Sequence, residues 1–172
     1  MKKVSFLLIC IICTISCLAQ DSNLSKVVNI SLPDGSEKLN SKQSTAFVKS
    51  HFNTNSISLN NNNVYSQNGI LISFWDLSVD ENFKKTLEQS KKEMLGVLHR
   101  YKSSINYGKI INVNQINFLI ISYEENDDCY LRFYSDYNNN NQNVAGIIQF
   151  KKADESRANS LLMGILKSVS FK

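Results

Sequence analysis

The stretch ILISFWDLSVDENFKKTLEQ, residues 70–89, decides the fold because it places a buried strand directly before a helix. From Ile70 to Leu77 apolar residues occupy both alternating positions, which predicts a central strand covered on both faces. Ser78-Val79-Asp80-Glu81 then has the pattern of a capping box. The sequence predicts a helix over 80–101 lying on a sheet, with one apolar face formed by Phe83, Leu87, Met94, Leu98 and Tyr101.

Beyond this helix the pattern changes to strands. Residues 109–125 predict either two strands or one long bent strand, and 129–137 and 145–152 predict two more, joined by segments of hairpin-turn composition. A final helix begins at Asp154 or Ser156, and residues 168–172 close as a short strand. The apolar stripe of that helix contains Ala158, Leu161, Leu162, Ile165 and Leu166.

Upstream of residue 70 the signals are shorter. Val28, Ile30 and Leu32 alternate with polar residues and precede the turn signal Pro33-Asp34-Gly35. A short helix is predicted to Phe52, capped by Asn40 or Ser41. A weak strand near 56–59 and a second short strand follow.

This order of elements predicts an α+β fold, a three-layer α-β-α sandwich with a central, mostly antiparallel sheet. The opening ISLPDG (30–35), the stretch 70–89, IINVNQINFLIISYE (110–124) and the ending ANSLLMGILKSVSFK (158–172) carry a resemblance of element order and apolar spacing. In these features the chain resembles the PsbP-like superfamily, which includes Ran-binding Mog proteins, a photosystem II extrinsic subunit and bacterial envelope or chaperone domains. One departure is Gln115 and Ile116, where a turn glycine is expected. The resemblance implies protein-binding or assembly roles and no common catalytic site.

The N-terminus has the three parts of an export signal: a basic start at Lys2 and Lys3, an apolar stretch over 4–15, and a small or polar ending over 16–20. Cleavage after Ala19 gives a mature chain that begins at Gln20. In the alternative, Thr14 to Cys17 resemble a bacterial lipobox and Cys17 carries a lipid. The expected organisation is a signal peptide over 1–19, a flexible segment over 20–26 and one α+β domain over 27–172, located in the periplasm or outside the cell, or anchored to a membrane if Cys17 is lipidated.

Composition excludes several classes of function. Apolar residues make up 42% and charged residues 20%, which is typical of a globular domain. The net charge of +4 includes Lys2 and Lys3 of the leader, and the remaining lysines are scattered, so no nucleic-acid partner is expected.

Catalytic and metal-binding patterns are weak. We expect no catalytic residue, cofactor or metal, because His51 and His99 each lie near a helix end and the acidic residues 124, 125, 127 and 128 lack the spacing of a calcium loop. Cys129 is the one cysteine outside the leader, and strand alternation points it into the core.

The opposite face of that strand contains Tyr130, Arg132 and Tyr134, with Tyr137 beyond them. These side chains predict either a platform for a peptide or glycan, or aromatic packing beneath a helix. The expected function is an exported, non-enzymatic domain that binds an envelope or secreted protein or aids assembly at the cell envelope. The alternatives are a small-ligand or glycan-binding module with a cleft between the sheet and the helix 80–101, and a hydrolase that depends on Cys129.

Overall fold

The computed structural model describes residues 24–53 and 63–172. The predicted signal peptide, the cleavage site at Ala19 and Gln20, the lipidation site Cys17 and the weak strand near 56–59 lie outside these ranges. The elements, in chain order, are β1 Val28–Asn29, β2 Glu37–Lys38, α1 Ser41–His51, β3 Val64–Gln67, β4 Ile70–Ser78, a 3₁₀ turn Glu81–Phe83, α2 Leu87–Arg100, β5 Ser104–Val113, β6 Ile116–Glu125, β7 Asp128–Ser135, β8 Gln142–Phe150, a 3₁₀ turn Lys152–Asp154, α3 Glu155–Ser168 and β9 Ser170–Phe171.

Seven strands form one antiparallel sheet in the order β2-β3-β4-β8-β7-β6-β5, and β1 pairs with β9 in a separate ribbon. One face packs against α3, whose buried residues Ala158, Leu161, Leu162, Ile165 and Leu166 are those of the predicted stripe. The other face packs against α1 over β3 and β4, and against α2 over β5, β6 and β7. The predicted α+β class and the antiparallel sandwich are confirmed.

Three tight hairpins connect the strands, and each begins with an asparagine at positive φ: Asn68-Gly69, Asn114-Gln115 and Asn126-Asp127. Two consecutive left-handed residues give the turn whose twist matches that of antiparallel strands. Residues 104–125 are therefore two strands. Gln115, at φ 67°, occupies the position where glycine was expected.

Helix α2 begins later than predicted. Ser78 is still part of β4, where it pairs with Gln142, so it does not cap a helix. The cap is Thr86: its hydroxyl accepts a hydrogen bond from the Gln89 amide (3.2 Å), and the Gln89 side chain accepts one from the Thr86 amide (2.8 Å). Phe83 and Tyr101 were expected on the buried face, but they lie outside the helix and are 71% and 72% exposed.

The start of the domain also differs from the prediction. Only Val28 and Asn29 form a strand, because β9 offers them just two partners. Leu24 and Ser25, expected in a flexible segment, are buried. Asp76 holds them in place by accepting hydrogen bonds from the Ser25 hydroxyl (2.5 Å) and the Lys26 amide (2.8 Å).

Candidate functional site

The predicted binding face on β7 lies on the same side of the sheet as α2. Tyr130 is only 4% exposed: its ring stacks on Tyr123 with centroids 4.8 Å apart, and its hydroxyl accepts a hydrogen bond from Gln149 Nε2 (3.1 Å). Arg132 and Tyr134 are half-buried. The three side chains therefore do not form an open platform, because Tyr130 packs within the apolar cluster beneath α2.

Among the residues that the structure describes, Arg132 has only weak hydrogen-bond acceptors. Its Nη1 lies 3.4 Å from the sulfur of Met94 and 3.4 Å from the hydroxyl of Tyr134. Its Nε is buried and has no partner among the described residues. Burial raises the pKa of Tyr134, and the positive charge of Arg132 opposes that rise. Burial also raises the pKa of Tyr123, and the positive charge of Arg132 opposes that rise as well.

The acidic residues at the β6–β7 hairpin serve structural contacts. Asp128 is fully buried, forms an ion pair with Lys151 Nζ (2.7 Å) and accepts a hydrogen bond from the Asn53 amide (2.9 Å). Glu124 pairs with Lys152 Nζ (2.7 Å), and that hydrogen bond holds the pKa of Glu124 below its usual range. The hairpin is thereby fixed to the end of α1 and to the start of α3.

The sheet separates Cys129 from both histidines. Cys129 is 4% exposed and lies in the core on the α3 side, whereas His51 and His99 lie in α1 and α2 on the other side. Burial, reinforced by the negative charge of Glu124, raises the pKa of the Cys129 thiol and so disfavours the nucleophilic thiolate. In residues 24–53 and 63–172, no three His, Cys, Asp or Glu side chains are grouped closely enough to hold a metal ion.

A basic surface runs along α2 and its flanking residues. Segment 83–102, hereafter the α2 segment, contains six basic and two acidic residues, a net charge of +4 that equals the charge of the whole chain. The expectation that the lysines outside the leader are scattered is therefore wrong for this segment, and counting charge segment by segment would have shown it. At its two ends lie the exposed rings of Phe83 and Tyr101. Between them is a shallow depression lined by Gln89, Lys92, Glu93, Gly96, Val97 and Arg100. None of the helices in the described ranges has the length and apolar character needed to cross a membrane.

No protein-family model matches the chain, and no curated protein does. Among solved structures, the solution structure of a cyanobacterial PsbP (CyanoP) from Synechocystis is similar over 86% of this chain and 94% of its own, with a TM-score of 0.50 and 9% sequence identity. At that identity the likeness concerns the fold alone. With its seven-stranded antiparallel sheet between helices, the chain has the PsbP-like fold.

Proposed function

We propose that this protein is an exported, non-enzymatic domain that binds an acidic surface of a protein partner at the bacterial cell envelope, through the α2 segment. The observation that carries the proposal is the concentration of positive charge there. The rest of the chain contains thirteen basic and thirteen acidic residues, and without Lys2 and Lys3 of the leader it contains eleven basic and thirteen acidic residues. A local field of one sign steers a partner of opposite sign and favours its register on the surface.

Most of this charge is free to act on a partner. Both glutamates of the segment are already paired within the domain, Glu93 with Lys85 (2.7 Å) and Glu88 with Lys91 (3.7 Å). Four further cations make no ion pair among the described residues: Lys84, Lys92, Arg100 and Lys102. Aromatic side chains are enriched at protein interfaces, and Tyr and Arg are among those that contribute most to binding, which favours the exposed Phe83 and Tyr101 as the apolar anchors.

The proposal that the protein is exported is based on the export signal at residues 1–19. It is tested by expressing the full chain in a Gram-negative host and measuring the intact mass of the product. A product beginning at Gln20 supports a diffusible periplasmic or secreted protein, and a product beginning at an acylated Cys17 supports a tethered one. A product that retains residues 1–16 contradicts export by either route.

Partner binding is tested by photo-crosslinking in the native cells. A photoreactive phenylalanine analogue replaces Phe83 or Tyr101, with Thr45 on α1 and Ser160 on α3 as exposed control positions. We expect a discrete protein adduct from the first pair and none from the controls. Equal adducts at all four positions contradict the proposal, as does an adduct restricted to lipid or nucleic acid.

The identified partner then allows a quantitative test. Lys92→Glu with Arg100→Glu should weaken binding at least about tenfold and flatten its dependence on salt. The matched control is Lys49→Glu with Lys167→Glu, which changes the net charge equally on the other helices and should leave affinity unchanged. Equal loss in both double variants would show that net charge, and not the α2 segment, determines binding.

A further inference from the structure

We propose that Arg132 receives the carboxylate of a small, otherwise apolar ligand on the α2 side of the sheet. This site is separate from the outer surface of the α2 segment and does not depend on its role. It combines an uncompensated guanidinium with half-buried aromatic side chains.

The guanidinium of Arg132 has no negatively charged partner among the described residues. A guanidinium is always protonated and presents five N–H donors in a planar fork that matches a carboxylate. Among the described residues, Arg132 Nη1 contacts a thioether sulfur and a phenol hydroxyl, both at 3.4 Å, and its buried Nε has no acceptor. A partly buried cation in this state is destabilising until an anion pairs with it.

No carboxylate of residues 24–53 and 63–172 forms an ion pair with Arg132. Glu125, Asp128 and Asp136 lie on the same face of the sheet as Arg132. Asp128 is paired with Lys151, Asp136 accepts a hydrogen bond from Asn117 Nδ2 (2.6 Å), and Glu125 makes no ion pair with Arg132. Outside the described ranges, segment 54–62 contains no acidic residue and residues 1–23 contain one, Asp21.

The side chains near Arg132 indicate that the part of the ligand beyond its carboxylate is apolar. In the row of the sheet next to Arg132, Trp75 on β4 and Tyr134 on β7 flank Ala145 on β8, and both aromatic side chains are half-buried. The sulfur of Met94 on α2 lies 3.4 Å from Arg132 Nη1, and a methionine side chain adapts to irregular apolar shapes. Apolar and aromatic walls with one fixed charged group are typical of small-molecule sites.

Trp75 is the single tryptophan of the chain, so tryptophan fluorescence reports on the surroundings of this residue, in the row of the sheet next to Arg132. We would titrate the purified protein with cyclohexanecarboxylate, with the uncharged cyclohexylmethanol as its matched control and inorganic phosphate as a second anion. The expected result is a saturable change with the carboxylate only. A response to phosphate of equal affinity, an equal response to the alcohol, or no saturable response each overturns the proposal.

Two arginine variants separate binding from folding. Arg132→Met should abolish the response and leave thermal stability equal or higher, because it removes an unpaired charge and keeps the apolar stem. A lower melting temperature would show that Arg132 is already satisfied, which contradicts the proposal. Arg100→Gln, on the α2 segment, should leave the fluorescence titration unchanged. A negative result for carboxylate binding at Arg132 is therefore distinguishable from a negative result for partner binding by the α2 segment.

Discussion

The ring of Phe133 on β7 lies across Gly146 on β8, filling the space that a side chain would occupy. Phe133 and Gly146 are directly paired, and Phe74 on β4 pairs with Gly146 from the other side. A Cβ atom built on Gly146 overlaps the Phe133 ring and comes within 2.9 Å of the Ser73 carbonyl oxygen. Close approach of an aromatic ring, rather than backbone freedom, therefore requires glycine at this point of the central strand.

Gly146→Ala should lower the free energy of unfolding by about 2 kcal/mol, since overpacking a dense core costs roughly 1–3 kcal/mol. Urea denaturation measures it. The control is Gly164→Ala on the exposed side of α3, where nothing lies within 4 Å. It should raise stability by about 0.5–1 kcal/mol through helix propensity. Equal effects of both substitutions would contradict the steric explanation.

Asp76→Asn should loosen the start of the domain. It removes the charge that accepts hydrogen bonds from Ser25 and the Lys26 amide, and Ser25 in turn accepts from the amides of Val27 and Val28. We expect faster hydrogen exchange at residues 26–28 and a loss of about 1 kcal/mol. Asp80→Asn, also an exposed aspartate, is the control. Unchanged exchange at 26–28 would mean that Asp76 does not anchor this segment.

Thr86→Ala should destabilise the protein by about 1 kcal/mol, the usual effect of losing an N-cap. Ser78→Ala should change stability by less than about 0.5 kcal/mol, because Ser78 is an exposed strand residue. Thermal unfolding of both variants distinguishes the two candidate caps. The reverse ranking would place the helix start where the sequence pattern first indicated it.

Gln115→Gly should stabilise the protein by about 0.5–1 kcal/mol. Gln115 has φ 67°, a conformation that costs an L-residue roughly 1–2 kcal/mol, and glycine adopts it without strain. Lys109→Gly, in the regular part of β5, is the control and should be destabilising. A loss of stability in Gln115→Gly would show that its side chain contributes more than the turn strain.

Stability should decline above about pH 10, the ordinary pKa of tyrosine. Burial raises the pKa of Tyr107, Tyr123 and Tyr134. The unfolded state therefore loses these protons first, so the stabilisation is complete below the unfolded pKa and is lost as pH rises through the folded values. Tyr134→Phe should flatten this decline in melting temperature. If the melting temperature of Tyr134→Phe fell with pH as steeply as that of the unmodified protein, groups other than Tyr134 would cause the loss of stability at alkaline pH.

The sequence predicted correctly those elements that are determined by residues close together in the chain, such as α3 and the start of α1. All five residues of the α3 stripe are buried, and Asn40 caps α1 with Gln43 as a reciprocal partner. The start of α2 could not be predicted in this way, because both Ser78–Glu81 and Thr86–Gln89 fit a capping box. Pairing of Ser78 with Gln142, a distant residue, decides between them.

In the candidate sites, too, the sequence predicted the features set by neighbouring residues but not those set by distant contacts. Strand alternation correctly assigned Cys129 and Tyr130 to opposite faces, but it left open whether Tyr130 lies on an open platform or packs beneath a helix, because that depends on how α2 docks. The missing counter-ion of Arg132 is likewise a property of three-dimensional contacts. The basic α2 segment was readable from the sequence, yet the net charge of the whole chain concealed its concentration.

The sheet order has a consequence for the folding of the chain. Strands β5 to β8 pair with their neighbours in sequence, so they assemble through short loops. The pairs that join β4 to β8 are separated by 64 to 78 residues, and closing so long a loop slows their formation. We therefore expect the C-terminal meander to form first as a local unit, and β4 to add later along β8, where Phe74 pairs with Gly146.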